Sequence, residues 1–475
     1  MSQSVLNFKG KKVLVFGLGL LGGGVATTNW LLRQGAQVTV TDLKTEEQLK
    51  TSLEKINGQV VLKLGGHSEE DIRSHDVIVC NQDVSINNPY IQLAFKEGKR
   101  VETEGTLFFK LFPKRIVGIT GTRGKTTTTA WTTVFLQSTL RATTAGNWGD
   151  VNPFLEIVDK GKNFDVVVAE IPSFQLEYFY LIDRSPEVAI ITNLSPDHLN
   201  RHGDMKGYAL AKANLFKHQT SDQHLILNRD NEWTEFFISQ KPKSHIWQFS
   251  RTKLPGNVDG IYYEGSKIFL QEKANAQSIL SIGNFVKEKG EHNLENLLAS
   301  SLAAHLAGIP WEKIQAAVPS LPQVKFRQEI IFKNEKLTII NDTTATSPEG
   351  AIAALKRFAG PNTILIAGGT DRQLEFSDWA DAVTRYITKG NLILLGGSAT
   401  DKMMVALKER GFDANTFSVQ ETLAKAVAAG LAKVRHQEGA VLVFSPGAKS
   451  FEKFLNEFDR GEQFNALIKK ELGHE

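Results

Sequence analysis

Short apolar runs closed by glycine, asparagine or aspartate recur along this chain and alternate with longer stretches in which apolar residues return at helical spacing. The first pattern is that of strands buried on both faces of a parallel sheet, and the second that of helices packed against it. Val13-Leu14-Val15-Phe16 opens the series, followed by a glycine-rich turn and a helical pattern to about Leu32. Gln37-Val38-Thr39-Val40-Thr41 predicts a second strand ending at Asp42, and Asp76-Val77-Ile78-Val79 a later one. Asp165-Val166-Val167-Val168-Ala169 and Val188-Ala189-Ile190-Ile191-Thr192 continue the alternation. Leu337-Thr338-Ile339-Ile340, Thr363-Ile364-Leu365-Ile366, Leu392-Ile393-Leu394-Leu395 and Val441-Leu442-Val443-Phe444 carry it toward the end. Strands that alternate with helices in this way predict an α/β fold built on parallel sheets.

A chain of 475 residues has room for about three domains at roughly 100–200 residues each. The pattern divides it into 1–112, 113–321 and 322–475. There is no internal repeat, low-complexity tract or long charge run. With 41% hydrophobic and 23% charged residues the composition is that of a globular protein, and a net charge of +3 offers no attraction for nucleic acid or a membrane surface. The single cysteine, Cys80, forbids an intrachain disulfide and fits a reducing compartment. Met1-Ser2-Gln3-Ser4-Val5 has none of the features of a secretion signal, and the apolar residues of 13–32 are interrupted by glycines. The expectation is a cytoplasmic monomer acting on small molecules.

Chemistry first enters at Gly118-Ile119-Thr120-Gly121-Thr122-Arg123-Gly124-Lys125-Thr126-Thr127-Thr128-Thr129. Ile116-Val117 closes an apolar strand, the glycines let backbone N–H groups turn toward an anion, and the threonine run opens a helix whose N-terminus favours negative charge. Gly121, Thr122, Gly124 and Thr127 line such a loop, Lys125 reaches outer phosphates, and the Thr126 hydroxyl ligates Mg²⁺. The general phosphate-loop spacing asks for glycine at 119, where this chain has Ile119. A second glycine turn, Gly17-x-Gly19-x-x-Gly22, with Asp42 beyond it, matches the dinucleotide fingerprint. It fits an NAD-binding dehydrogenase, another pyrophosphate such as that of a UDP-sugar, or tight helix–strand packing. Glu170, at the carboxyl end of a strand beside the phosphate loop, is placed to hold Mg²⁺. Asp197-His198-Leu199-Asn200-Arg201-His202 follows the next strand in the same manner.

At this point the chain resembles the Mur ligases. The segments 118–129, 170–177 and 193–198, with Glu291-His292-Asn293-Leu294-Glu295-Asn296 and Asn341-Asp342-Thr343-Thr344-Ala345-Thr346, stand in the order and spacing of that family. The likeness spans nearly the whole chain and is strongest toward the D-glutamate-adding branch, whose C-terminal signature Phe444-Ser445-Pro446 and Phe458-Asp459-Arg460-Gly461 resemble. It implies three domains: a Rossmann-like domain for a UDP-linked substrate, a central P-loop ATPase-type doubly wound domain, and a C-terminal Rossmann-like α/β domain for the amino acid. The activity implied is ATP-dependent, ADP-forming addition of glutamate to UDP-N-acetylmuramoyl-L-alanine in peptidoglycan precursor synthesis, through an acyl phosphate and with closure of the last domain.

The resemblance also implies roles. Lys125 and Thr126 serve the ATP phosphates and the first of two Mg²⁺ ions, Glu170 and His198 are metal ligands, and Lys212 matches a carbamylated lysine beside the second ion. A lysine left unmodified there repels the metal, and the plain alternative is a solvated helix lysine. Asn293 and Asn296 fall near adenine, Arg327 and Asp342 near nucleotide phosphate and ribose, and Leu20 and Asn147 at the UDP-sugar. Phe458, Thr346, Ser450 and Arg372 fall at the amino-acid site. The departures lie there too: Thr344 stands where relatives carry lysine, Arg372 replaces a lysine, and Lys449 is an added cation with solvation as its plain alternative. Asn81-Gln82-Asp83 replaces Ser-Pro-Gly near the uracil site, and Leu43-Lys44 replaces Thr-Arg. A ligase with L-glutamate or another acceptor, folate polyglutamylation included, and a dehydrogenase without ligase activity stay open as alternatives.

Overall fold

The structure is a computed structural model that describes residues 6–20, 22–146, 152–413, 415–435 and 437–473. Two units emerge from the contacts, 1–321 and 322–475. The first carries two sheets and the second carries one.

The first sheet is formed by β1 (Lys12–Phe16), β2 (Gln37–Asp42), β3 (Val61–Leu64), β4 (Val77–Cys80) and β5 (Arg100–Thr103) in the order β3-β2-β1-β4-β5. Every pairing is parallel. The chain leaves β1 toward β2 and later returns to pair β4 on the other side, so the loops after β1 and β4 flank the crevice where ligands bind in such sheets. Sequence pattern located β1, β2 and β4 within a residue or so. It passed over β3, whose residues are mostly exposed, and the short β5.

The second sheet is larger: β6 (Arg115–Thr120), β7 (Ala142–Ala145), β8 (Val166–Glu170), β9 (Val188–Ile191), β10 (His224–Asn228), β11 (His245–Ser250), β12 (Gly260–Glu264), β13 (Lys267–Glu272) and β14 (Asn275–Ser281). Their order is β14-β13-β12-β11-β10-β9-β6-β8-β7, parallel from β7 to β12 and antiparallel at the β12–β13–β14 edge. That meander extends the expected doubly wound sheet. Central β6 and β8 are largely apolar between their ends, and they pair Ile119 with Glu170 while β6 pairs Thr120 with Ile191 of β9. The segments after β6, β8 and β9 therefore start side by side. The helices Lys125–Gln137 and Glu291–Leu306 pack on one face around Trp131, Phe135, Leu297 and Leu298, all buried.

The second unit holds β15 (Glu329–Lys333), β16 (Leu337–Asn341), β17 (Thr363–Ala367), β18 (Leu392–Leu395), β19 (Phe417–Gln420) and β20 (Ala440–Phe444), ordered β15-β16-β20-β17-β18-β19. Only β15 runs antiparallel. β20 inserts between β16 and β17, so the loops beginning at Asp342, Gly368 and Ser445 leave the sheet next to one another. Among the described residues no helix is long and apolar enough to cross a membrane.

Candidate active site

The loop after β6 is held in shape by the turn after β9. Thr122 N–H donates to the Asn193 carbonyl at 3.0 Å, Arg123 N–H to Asn193 Oδ1 at 2.9 Å, and Thr192 Oγ1 to the Arg123 carbonyl at 2.6 Å. Two glycines make this fit possible. Gly121 has φ 151° and a Cβ there would lie 1.9 Å from Thr192 Oγ1, while Gly124 has φ 82° and a Cβ would lie 2.3 Å from Asn296 Oδ1. Gly124 caps the helix Lys125–Gln137 with no side-chain hydrogen bond, at the helix end that favours negative charge. This settles what Ile119 costs: it is a fully buried residue of β6, and the loop turns on Gly121 and Gly124 instead.

Lys125 is not exposed on the loop itself. It is the first residue of the helix, half-buried, and its ammonium donates to the carbonyls of Gly121 and Thr122, both at 3.1 Å. Its charge thus sits over the loop. Thr126 Oγ1 donates to Glu170 Oε1 at 3.3 Å. Glu170 is the last residue of β8 rather than the first beyond it, and is buried. Its other oxygen, Oε2, has no hydrogen-bond partner in the protein. A buried, unpartnered carboxylate oxygen beside a threonine hydroxyl at a phosphate loop is the donor set of a hard divalent cation. Thr127 is buried beneath the loop, and Thr122 Oγ1 accepts from Ser195 N–H at 3.1 Å and meets Tyr208 Oη at 3.3 Å.

His198 follows β9 in the left-handed region (φ 54°), where a non-glycine residue is strained. Its ring stands edge-on to Phe174 at 4.7 Å, and its Nε2 is 3.6 Å from Asp197, which in turn pairs with Arg123 at 3.1 Å. Lys212, on the helix Met205–Ala213, overturns the solvated alternative: it is 1% exposed and donates to the Gly121 carbonyl at 2.8 Å and to Thr120 Oγ1 at 3.4 Å. Burial, with Lys125 nearby, holds its pKa well below the usual lysine value. The structure therefore brings Lys125, Thr126, Glu170 and Lys212 around one loop. Asn296 is buried against that loop, accepting from Thr128 Oγ1 at 3.2 Å and donating to Asn293 Oδ1 at 3.0 Å, and so braces it. Among the described residues no cluster of three or more His, Cys, Asp or Glu side chains is gathered as a metal cage.

In the first sheet a cleft opens at the carboxyl ends of β1 and β4, lined by Gly17, Gly19, Leu20, Asn81, Gln82 and Asp83 among others. Leu20 is exposed at its mouth. Asp42 uses both oxygens within the protein, accepting from Gly19 N–H at 3.0 Å and Lys44 N–H at 2.9 Å, and so fixes the glycine turn. Asn147 lies outside the described residues.

The second unit gathers the remaining predicted residues. Asp342 is buried, accepts from Ser445 Oγ at 2.6 Å and Gln328 N–H at 2.9 Å, and burial pushes its pKa up to about 7. Arg327 lies in the adjoining segment, where Phe326 and Gln328 both have positive φ. Thr344 spends its hydroxyl on the Phe326 carbonyl at 2.7 Å. Thr346 is buried, and Ser450 Oγ is buried with no hydrogen-bond partner. Arg372 is exposed, its guanidinium 4.7 Å over Phe451, and half-buried Lys449 bridges Thr370 through its backbone. Lys449 is thus tied to the β17 loop rather than wholly solvated. Phe458 packs toward Phe326, ring centroids 6.2 Å apart.

The sequence showed Arg460 only as part of a signature and gave it no role. Arg460 is completely buried and donates to Thr343 Oγ1, the Thr343 carbonyl, and the carbonyls of Ala448 and Lys449 at 2.7–3.1 Å. Burial lowers its pKa to about 10, and it ties together the loops that carry Thr346 and Ser450. Its neighbour Gly461 was the available signal: a Cβ there would lie 2.6 Å from Thr343.

A phosphate loop at a helix N-terminus, a magnesium-type donor pair at the next strand end and further α/β sheets bearing polar strand-end loops define a nucleotide-dependent enzyme. Comparison with known proteins makes this specific. Residues 119–304 match the Mur ligase middle domain and 11–103 the Mur ligase MurD-like N-terminal domain. The UDP-N-acetylmuramoylalanine–D-glutamate ligase of Roseiflexus sp. (strain RS-1) is 35% identical over 98% of this chain and 99% of its own. That of Desulfitobacterium hafniense (strain DSM 10664 / DCB-2) is 34% identical over 98% and 99%. Among solved structures, UDP-N-acetylmuramate–alanine ligase MurC from Thermotoga maritima aligns over 97% of this chain and 100% of its own, with TM-score 0.60 and 18% identity. MurF ligase from Thermotoga maritima in complex with ADP aligns over 99% and 97%, with TM-score 0.58 and 16% identity. The chain belongs to the Mur ligase family of ATP-dependent amide ligases.

Proposed function

We propose that this protein is a cytoplasmic enzyme that joins D-glutamate to the L-alanyl carboxylate of UDP-N-acetylmuramoyl-L-alanine, converting ATP to ADP and phosphate. The observation that carries the reading is the grouping of Lys125, Thr126, Glu170 and Lys212 around one phosphate loop, in a chain alike over nearly its whole length to D-glutamate-adding relatives. The alanyl carboxylate oxygen attacks the γ-phosphorus and ADP departs, leaving an acyl phosphate. The glutamate amine then attacks the acyl carbon, loses a proton, and inorganic phosphate leaves with both electrons of its C–O bond. Lys125 and the helix N-terminus neutralise charge on the transferring phosphoryl group. Thr126 and Glu170 would hold Mg²⁺, with His198 and a carbamylated Lys212 toward a second ion; bound there, the metal neutralises phosphate charge. A carbamate forms only on a neutral amine, which is the form that burial of Lys212 favours.

The cleft with Leu20, Asn81 and Gln82 is suited to the UDP-sugar, Asn147 being carried by the resemblance alone. Asn293 and Asn296 belong to the adenine side in that resemblance, with Arg327 and Asp342 assigned to phosphate and ribose. Arg372, Thr346, Ser450 and Phe458 form the amino-acid site. Glutamate's two carboxylates need charge-assisted partners to offset desolvation. Thr344 supplies none, which keeps a second reading in play: an acceptor of other configuration or identity. Phosphate release from ATP, measured with UDP-N-acetylmuramoyl-L-alanine and each glutamate enantiomer, tests both. Release dependent on D-glutamate is expected; release with L-glutamate alone supports an acceptor of other configuration, and none with either rejects glutamate and leaves an acceptor of other identity.

A further inference from the structure

Arg201 lies three residues beyond His198 in the segment after β9, and its surroundings are unusual. Its side chain is 12% exposed and grips Glu177 fork to fork, Nε to Oε1 at 2.9 Å and Nη2 to Oε2 at 2.7 Å. The same guanidinium donates to three consecutive carbonyls, those of Gln82, Asp83 and Val84, at 3.2, 2.8 and 3.1 Å. Those residues follow β4, and Gln82 and Asp83 line the cleft of the first sheet. Two more bonds sew the same seam: Gln175 Nε2 to Gln82 Oε1 and Tyr178 Oη to the Val84 carbonyl, both at 3.0 Å. On its other side Arg201 lies 4.5 Å over the ring of Phe174, which meets the His198 ring at 4.7 Å. Glu177 also holds His202 at 3.2 Å, and His202 in turn meets Ser173 Oγ at 3.0 Å, three residues beyond Glu170.

We infer that Arg201 is a positioning residue that couples the sugar-nucleotide cleft to the phosphate-loop centre: it fixes 82–84 and, through Phe174 and Glu177, the segment bearing His198. The ligand names rest on the function proposed above; the coupling does not. A planar fork with several fixed donors can serve a carboxylate and three carbonyls at once, whereas an ammonium cannot. Two sites that share such a rigid group respond to each other, and the response is reciprocal.

The experiment is amide hydrogen exchange on the full chain, with and without Mg²⁺ and the non-hydrolysable analogue adenylyl-imidodiphosphate, in wild type and Arg201→Lys. In wild type the analogue should slow exchange at 121–126, where it binds, and also at 82–84, by about threefold or more. In Arg201→Lys the protection at 121–126 should persist and that at 82–84 should vanish. Steady-state kinetics should agree, KM for UDP-N-acetylmuramoyl-L-alanine rising about five- to tenfold while KM for glutamate stays within about twofold. Protection at 82–84 that survives in Arg201→Lys, or is missing from wild type while 121–126 is protected, overturns the coupling. Should Arg201→Lys fail to fold, Glu177→Gln decides by the same criteria. No protection at 121–126 in wild type instead strikes the nucleotide-loop reading, which a direct comparison of exchange at 82–84 between variants without ligand then separates from the seam: unchanged exchange there overturns the seam as well.

Discussion

Lys212 is the side chain on which the proposed chemistry bears most directly. A lysine 1% exposed and hydrogen-bonded to the Gly121 carbonyl cannot keep its full charge without the solvation water gives it. Lys212→Ala should lower ligase turnover by about a hundredfold or more, the scale of losing one electrostatic group at a phosphoryl-transfer site. Short carboxylates such as acetate should restore part of it by standing in for the proposed carbamate; turnover near wild type would remove Lys212 from the machinery. Asp342 gives a pH-dependent counterpart. Its pKa is raised by burial from 3.8 to about 7, so between those values the folded chain keeps a proton that the unfolded chain gives up. Stability must then fall as pH rises across that window. The melting temperature of wild type relative to Asp342→Asn should accordingly decline from about pH 5 to about pH 8. A constant difference would mean that Asp342 is ionised throughout.

At the level of strands and loops, the site is made by strand ends that pairing puts side by side. Gly121 shows how tight that arrangement is. With φ 151° and Thr192 Oγ1 only 1.9 Å from where an alanine methyl would lie, Gly121→Ala must push the β6 and β9 loops apart. Affinity for ATP, measured by calorimetry, should drop more than about tenfold, with a melting temperature lower by several degrees; an unchanged affinity would show that the loop does not cradle phosphate. In the second unit β16, β20 and β17 likewise deliver Thr346, Ser450 and Arg372 from adjoining loops. Arg372→Ala should raise KM for glutamate about tenfold and leave KM for ATP unchanged, since in the proposed site only the amino acid brings carboxylates to that cation; equal changes in both would misplace the acceptor pocket. These strand ends were legible in the sequence because parallel strands buried on both faces read as unbroken apolar runs. The meander β12–β14 was not. Its strands mix exposed polar residues with apolar ones, and β14 is exposed along most of its length. The burial of Lys212 was equally hidden, because a lysine among alanines on a short helix looks like one that faces water. Arg460 and Arg201 were given no role for another reason: the partners that tie them to other loops lie more than a hundred positions away in sequence, at Thr343 and at 82–84.

Across the first unit the two sheets are joined by polar bonds as well as by chain. Arg201, Gln175 and Tyr178 reach the loop after β4, and Trp30 Nε1, on the helix that follows β1, donates to Asp159 at 2.9 Å, with Arg33 pairing to the same carboxylate. A cut at 112/113, natural on sequence pattern, passes through that joined body, which the contacts treat as one from 1 to 321. The consequence is cooperativity. Trp30 reports on the first sheet and Trp131 on the second, so denaturant titrations of variants keeping one or the other of these two indoles as the reporter should give coincident midpoints for both. Separated midpoints would mean that each sheet melts by itself. Coincident ones would make the cleft and the phosphate loop parts of a single thermodynamic unit, in which anything that stabilises one end on binding also protects the other from the fluctuations that open it to proteases.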